Sequence, residues 1–586
     1  MRSQRSLPLC VLLSACTPTP AVRPKAPPPV AVAPDTPPAA PAAAPTQTPP
    51  ASEQPEGVFG KRARADGTSA HANSLGTIGT VGHGSGSGYG YGGSSAFGRG
   101  GSGRVAVNEP EPESADAYAH QDENGFRSAS VAPLSTFSVD VDTASYSNVR
   151  HFLTEGQLPP VDAVRVEELV NYFPYAYAPP TGPAPFSAST ELATCPWMPK
   201  HQLLRIGIKA RELDQKQRPA SNLVFLVDVS GSMAPANRLP LLKRALGLLV
   251  DTLDARDRVA IVVYAGSAGT VLAPTRGDRR ATILAALEHL ESGGSTNGGA
   301  GIDAAYRLAQ ASFIEGGSNR VVLATDGDFN VGVTSEGELV RLVEDKAKHG
   351  VYLSVLGFGR GNLKDATMEK LADRGNGNYA YVDTLQEARK VLVEQMTGTL
   401  ITVAKDVKLQ LEFNPARVAA YRQLGYEDRQ LRNEDFNDDR VDAGDIGAGH
   451  TVTALYEIVP VGVATKLSTI DPLRYQTPTT VTGSDDLATV KIRYKPAAGG
   501  PSTLSSFPVA ATAGDWGQAS VDWKLAASVA ELGMLLRHSK NRGTATWSSA
   551  QELARQGLGD DPHGYRRELG TLLGEAQRLQ AKLAVR

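Results

Sequence analysis

Between residues 220 and 398, short and largely apolar runs of strand length alternate with longer stretches in which the apolar residues have helical spacing. Strands alternating with helices in this way predict a mostly parallel sheet covered on both faces, a doubly wound α/β fold. The predicted strands are Leu223–Val227, Arg258–Tyr264, Arg320–Thr325 and Val351–Phe358, and the predicted helices are Leu239–Leu253, Thr282–Leu290, Gly299–Ser312 and Glu336–Lys348.

The segments on either side of this domain have the patterns of antiparallel strands and further helices. Residues 131–219 begin with a short strand and two helices and end with strands near 186–194 and 202–210. Residues 399–586 are β-rich at first and end in helices. The predicted elements there are the strands Val407–Phe413, Val452–Pro460 and Thr489–Tyr494 and the helices Val521–Leu536, Ser548–Gln556 and Tyr565–Leu583. Because either set of strands alone would expose sheet edges, we expect both flanks to share one sandwich-like β-region with the α/β domain inserted.

The first fifteen residues have the composition of an export signal. Arg2 and Arg5 precede a short apolar stretch, Leu7–Leu13, which is too short to cross a bilayer. Small residues then lead to Cys16, and this arrangement resembles the lipobox of bacterial lipoproteins, in which the cysteine is lipidated after cleavage. We therefore expect 1–15 to be a lipoprotein signal peptide, with an ordinary secretory signal as the alternative.

Residues 16–130 are Pro/Ala-rich and then Gly/Ser-rich, a composition that predicts a disordered tether between a lipid anchor and the folded body. The expected location is the cell envelope. Thr17, rather than an aspartate, follows the predicted lipidated cysteine, and by analogy with the lipoprotein sorting rule this favours the outer membrane. Lipidation of Cys16 and removal of Cys10 would leave Cys195 alone, so no internal disulfide is expected.

The charge balance bears on whether a nucleic acid could be a partner. The formal net charge is −3 and aromatic residues make up 6% of the chain, without a basic stripe that carries interleaved aromatics. This composition argues against nucleic acid as a partner.

Oxygen-bearing side chains follow two of the predicted strands and occupy one glycine-rich loop. Because ligands in open α/β sheets bind outside the carboxyl ends of the strands, these side chains can converge on one edge of the sheet. Carboxylate and hydroxyl oxygens are the hard ligands that magnesium prefers. The five candidate donors are Asp228, Ser230 and Ser232 after the first strand, Thr296 in the glycine-rich loop, and Asp326 after the third strand.

These five positions resemble the metal-ion-dependent adhesion site of the von Willebrand factor type A (VWA) family, which consists of Asp-x-Ser-x-Ser, a distant Thr and a distant Asp. The resemblance implies that Ser230 and Ser232 bind Mg²⁺ directly, with Mn²⁺ or Ca²⁺ as alternatives. It also implies that an Asp or Glu carboxylate of a protein partner completes the coordination. The flanks, at 131–219 and from about 402, resemble the N-terminal extension and the C-terminal domain of unknown function of a group of bacterial VWA lipoproteins.

Other chemistry has weaker support in the sequence. The run from Asp326 to Gly337 begins like a calcium loop, but its glycine falls one place late and its twelfth position lacks a glutamate. Glu167 and Glu168, adjacent in a predicted helix, are expected on a solvated face.

Motifs typical of nucleophilic, zinc-dependent and nucleotide-dependent enzymes are missing from the sequence, so we expect a binding protein rather than an enzyme. The alternatives are a structural or assembly role in the envelope, with the metal unused, and an enzyme or an accessory subunit of one.

Overall fold

The computed structural model describes residues 118–585 apart from 140–141, 214–217, 294–297, 328–335, 360–363, 396–400, 442, 465–483 and 498. All of them belong to the second of two units into which the chain divides, Val105–Arg586. The predicted signal peptide, most of the predicted tether, Cys16 and Thr296 lie outside the described residues.

The described elements are numbered here in chain order. The strands are β1 (Arg127–Ser128), β2 (Leu134–Ser138), β3 (Phe186–Cys195), β4 (Met198–Ala210), β5 (Ser221–Asp228), β6 (Arg258–Tyr264), β7 (Ala268–Arg276), β8 (Ser318–Thr325), β9 (Val351–Phe358), β10 (Tyr379–Val382), β11 (Thr402–Phe413), β12 (Val418–Leu424), β13 (Ile446–Gly447), β14 (Thr451–Pro460), β15 (Asp486–Pro496) and β16 (Thr503–Ala510). The α-helices are α1 (Ala144–Thr154), α2 (Val166–Asn171), α3 (Leu239–Val250), α4 (Arg280–Glu288), α5 (Gly298–Ala311), α6 (Glu336–Lys348), α7 (Asp365–Arg374), α8 (Leu385–Arg389), α9 (Val521–Leu536), α10 (Trp547–Gln556) and α11 (Tyr565–Val585).

The middle of the chain forms the predicted α/β domain, a six-stranded sheet in the order β10-β9-β8-β5-β6-β7. Every neighbouring pair is parallel except β6 and β7. All eight residues of β5 and all eight of β8 are buried, because helices cover both faces of the central strands. The predicted doubly wound fold is therefore confirmed. The sequence pattern missed β7, since this edge strand exposes most of its residues and has no apolar run.

The strands that flank the α/β domain form two further sheets. One has the order β1-β12-β14-β4-β3, and the other has the order β13-β11-β15-β16 with β2 paired to β11. The central ladder of the first sheet joins β4, which precedes the α/β domain, to β14, which follows it, from Lys209 opposite Thr451 to Gln202 opposite Ile458. Apolar residues of both sheets fill one core. The expectation that the two flanks share sheets around an inserted domain is confirmed.

The remaining helices pack together on the first of these sheets. Helices α1 and α2 share a core with α9, α10 and α11, and every residue of α2 is buried. The expectation of a solvated face for Glu167 and Glu168 is wrong, since they are only 6% and 5% exposed. Glu168 is held inside by the Arg165 guanidinium and by the backbone N–H of Ser145, which donates to it at 2.8 Å. Glu167 is covered by the chain at Gly425, where an added Cβ would lie 2.6 Å from the Glu167 backbone nitrogen, and helical spacing alone did not show this contact.

None of the described helices is long and apolar enough to cross a membrane.

Candidate functional site

The carboxyl ends of β5 and β8 bring two predicted donors to one edge of the α/β sheet. The two strands are neighbouring and parallel, with Val227 opposite Ala324. Asp228 is the last residue of β5, and Asp326 directly follows β8. Both aspartates have 0% relative exposure. The register of two buried strands therefore fixes the position of both carboxylates.

The loop after β5 positions the two serines. Val229 and Met233 are buried in the core of the domain, and the two serines lie between them in the loop. The two Oγ atoms are 2.9 Å apart, and the backbone N–H of Ser230 donates to Asp228 Oδ1 at 2.8 Å. Ser230 is buried, Ser232 is half-buried and Gly231 is exposed, so the hydroxyl pair lies between the buried Asp228 and solvent.

The second oxygen of Asp228 is held by two residues that the sequence pattern did not single out. The hydroxyl groups of Tyr264 and Thr325 each donate to Asp228 Oδ2, both at 3.3 Å. They are the last residues of β6 and β8, so the only sequence signal for them is a polar group at the carboxyl end of a neighbouring strand. Burial, with a smaller contribution from the negative charge of Asp326, raises the pKa of Asp228 above its ordinary value.

Thr296 lies outside the described residues, but the chain on both sides of it borders this edge of the sheet. Before it, the backbone N–H of Gly293 donates to the Val229 carbonyl at 2.7 Å. After it, α5 packs closely on β6, because a Cβ added at Gly301 would lie 2.8 Å from the Cβ of Tyr264. Gly293 therefore lies beside the Asp-x-Ser-x-Ser loop, and Gly301 lies beside Tyr264.

Arg238, at the start of α3, contacts the site and was missed by the sequence analysis. Its Nη1 donates to Asp326 Oδ2 and also to the Ser232 carbonyl at 2.8 Å. The side chain crosses directly over Gly359, where an added Cβ would lie 2.1 Å from the Arg238 Nε. Gly359 has a φ of +70°, a conformation that also favours glycine. No motif in the sequence distinguishes this arginine from other arginines at helix starts.

The donor set fits a divalent cation bound through oxygen. Asp326 Oδ1 is buried and has no hydrogen-bond partner in the described part of the chain, although buried carboxylate oxygens are normally satisfied. The two carboxylates, including this oxygen of Asp326, and the two serine hydroxyls are the hard donors that Mg²⁺ prefers. Among the described residues, no group of three or more His, Cys, Asp or Glu side chains could hold a metal ion, so this mixed carboxylate and hydroxyl site differs from an all-carboxylate or imidazole site.

Comparison with known proteins gives matches along most of the chain. Residues 222–395 match the family described as von Willebrand factor type A domain, 112–205 the family described as von Willebrand factor, and 398–579 the family described as "Uncharacterized protein YfbK, C-terminal". The chain is 47% identical over 466 residues to the uncharacterized protein YfbK of Escherichia coli, across 78% of this chain and 80% of that protein.

More distant likenesses cover smaller parts of the molecule. The uncharacterized protein sll0103 of Synechocystis is 28% identical over 218 residues, which is 36% of this chain and 49% of that protein. Among solved structures, a von Willebrand factor type A protein from Catenulispora acidiphila is 17% identical, with a TM-score of 0.37 over 66% of this chain and 96% of that chain.

Proposed function

Since the chain belongs to the YfbK family of bacterial proteins that contain a VWA domain, we propose that it binds a protein partner through Mg²⁺ held at the edge formed by β5 and β8. VWA domains generally mediate interactions between proteins. In this chain, the bound metal would accept an Asp or Glu carboxylate from the partner and so link the two proteins.

Each described side chain has a role in this proposal that follows from its surroundings. Ser230 and Ser232 are the neutral donors, with the half-buried Ser232 nearer to solvent, and they would hold the metal directly. Asp228 is locked by the Ser230 N–H and by two hydroxyls, so it orients the serine loop and supplies negative charge. Bound Mg²⁺ would supply an electrophilic position for an incoming carboxylate, a charge-assisted contact.

The observation that carries the proposal is the open oxygen of Asp326. A buried carboxylate oxygen without a hydrogen bond is unfavourable unless a ligand or ion satisfies it. The other oxygen of Asp326 is taken by Arg238, which offsets part of the negative charge when the metal is absent. Arg238 is therefore a built-in competitor for one of the proposed metal-binding carboxylates.

The proposed setting is the cell envelope, with Cys16 as the lipid anchor and the protein acting as a binding protein rather than an enzyme. The support is the lipobox-like sequence and the long Pro/Ala- and Gly/Ser-rich segment after it. Metabolic labelling with a radioactive fatty acid tests the anchor, because replacing Cys16 with Ser would remove the label. A label that persists in Cys16→Ser would contradict the anchor.

The experiment that tests adhesion is crosslinking in intact cells with Mg²⁺ or with EDTA, followed by identification of the captured protein. We expect capture by the wild-type chain to require Mg²⁺ and to be lost in Asp228→Ala. Asp251→Ala is the matched control, because Asp251 is an exposed aspartate that follows α3, away from the site. Capture that survives both EDTA and Asp228→Ala would favour the alternative, a structural or assembly role with the metal site unused.

A further inference from the structure

A cavity of about 420 Å³ lies against one face of the α/β sheet, and its lining includes none of the described donors of the proposed metal site. Its floor includes Leu223 of β5, five residues before Asp228, which corresponds to about 16 Å along a strand. The volume is within the range of small-molecule binding sites, roughly 300–1,000 Å³. The cavity is therefore large enough for a ligand and separate from the metal site.

The cavity lies on one face of the α/β sheet, beside the end of that domain. There, helix α8 is followed by a π-helical turn, Lys390–Glu394, and both end residues of this turn line the cavity. Leu223, Val322 and Leu356, on three neighbouring strands, form an apolar floor on that face. The opposite walls come from the sandwich and from the segment that follows α2. Three parts of the molecule meet here, a common location for ligand sites.

Two buried cations line the cavity. Arg320 and Lys390 are each 2% exposed. Arg320 donates to Ser354 Oγ at 2.6 Å, and Lys390 donates to the Tyr172 carbonyl at 2.7 Å and lies against the face of its ring. Burial lowers the pKa of Lys390 to about 7 and that of Arg320 to about 10. An anion in the cavity would offset the cost of keeping these charges away from water.

His450 adds a polar group that is available to a ligand. Both of its ring nitrogens are buried without a well-formed hydrogen bond, although the Gln395 backbone is close by. Burial lowers its pKa to about 4, so the ring is neutral and can donate one hydrogen bond and accept another. The two acidic residues of the lining are engaged elsewhere: Glu212 pairs with Lys209 at 2.9 Å, and Glu394 accepts from the Tyr565 hydroxyl at 3.0 Å.

We propose that this cavity binds a small organic anion with an apolar body, such as an aryl or alkyl carboxylate. The anionic group lies between Arg320 and Lys390, with His450 as a further hydrogen-bond partner. The apolar body covers the floor formed by Leu223, Val322 and Leu356. This site is independent of the proposed metal site, so EDTA leaves its ligand binding unchanged.

The first test uses the unmodified full chain and isothermal titration calorimetry with three probes. They are 4-phenylbutyrate, 4-phenyl-1-butanol, which lacks the charge, and butyrate, which lacks the aryl group. We expect 4-phenylbutyrate to bind at least tenfold more tightly than either of the other two. Equal affinities for the carboxylate and the alcohol, or no binding heat for any probe, would overturn the proposal.

The second test locates the binding with substitutions. Lys390→Met removes one charge at similar length, and Ala380→Leu fills space on the cavity wall while every cation stays in place. We expect each to weaken 4-phenylbutyrate binding at least tenfold, whereas Lys200→Met, an exposed lysine of β4, leaves it unchanged. Wild-type affinity in folded Ala380→Leu would overturn the proposal. If a variant fails to fold, the carboxylate and alcohol comparison on the unmodified chain decides.

Discussion

Two buried groups of charges in this molecule are built differently, and the difference separates structural from functional use. Where α1 meets the α/β domain, Arg150 donates to Asp383 and to Glu387, both at 2.8 Å, and all three side chains are at most 4% exposed. Asp326, at the carboxyl edge of the sheet, is equally buried, but one of its oxygens accepts no hydrogen bond from any residue that the structure describes. Carboxylates matched by fixed cations join parts of a protein, whereas an open buried oxygen is available to a ligand.

Removing Arg150 from the buried group that it forms with Asp383 and Glu387 is expected to have the largest effect. Arg150→Met leaves Asp383 and Glu387 buried without their guanidinium, and removing one partner of such a buried group costs about 3–5 kcal/mol of unfolding free energy. Urea denaturation of the full chain measures this loss. Arg555→Met is the control, since Arg555 forms an exposed pair with Glu552, and the same midpoint as wild type is expected. Equal midpoints for both variants would contradict a structural role for Arg150.

Removing a charge from the proposed metal site is expected to affect metal binding rather than stability. Asp228→Asn takes one carboxylate from the proposed site but keeps a side chain that can accept a hydrogen bond. We expect the affinity for Mn²⁺, measured by electron paramagnetic resonance, to fall at least a hundredfold, which is about 2.7 kcal/mol. Asp251→Asn is expected to bind Mn²⁺ like the wild type. Unchanged binding in Asp228→Asn would show that the metal is held elsewhere.

A third arrangement sharpens the comparison, because Glu531 is a buried carboxyl with no cation beside it. Its Oε2 accepts from the Ser549 hydroxyl at 2.7 Å, and its Oε1 has no hydrogen bond. Burial raises its pKa from 4.5 to about 7. The folded state therefore binds the proton more tightly, and this contribution to stability is lost as the pH rises from about 4.5 to about 7.

Glu531→Gln removes this titration. Between pH 5 and pH 8 the variant is expected to gain up to about 2 kcal/mol of unfolding free energy relative to wild type. Urea denaturation of both proteins at the two pH values gives the difference, which cancels other groups that titrate in the same range. A constant difference between the two proteins would show that Glu531 is ionised in the fold.

The smallest effect is expected from substituting Arg238, the cation that pairs with Asp326 at the proposed metal site. Arg238→Gln removes a cation that competes for Asp326, so the affinity for Mn²⁺ is expected to rise about tenfold, or about 1.4 kcal/mol. Arg244→Gln, an exposed arginine of α3, is the control and should leave the affinity unchanged. Weaker binding in Arg238→Gln would mean that Arg238 orients Asp326 for the metal instead of competing with it.

The sequence predicted the features that depend on local pattern. The buried apolar runs identified β5, β6, β8 and β9, and the positions of the strand ends placed Asp228 and Asp326 on one edge of the sheet. Alternating apolar positions on both flanks also led to the shared sandwich.

Features that depend on packing between distant segments were not predictable in this way. Arg238 reaches Asp326 across Gly359, which is far from it in sequence. The cavity is lined by the α/β domain, by the sandwich and by the segment after α2, and apolar spacing within one segment does not show how the three meet. The burial of Glu167 depends on Gly425, which packs directly against it, and Glu168 is held by Arg165, which also pairs with Asp365; both Gly425 and Asp365 are far along the chain.

The insertion of the α/β domain also constrains the order of folding. The ladder between β4 and β14 pairs Lys209 with Thr451, so during synthesis this sheet cannot close until the chain has passed residue 451. The α/β domain contains all its own strands and can form earlier, which shortens the loop that the later pairing must close. Pulse-labelling hydrogen exchange would then show protected amides in β5 and β8 before β4 and β14. By folding first, the domain proposed to bind a partner thus also brings together the two flanking segments that form the sandwich.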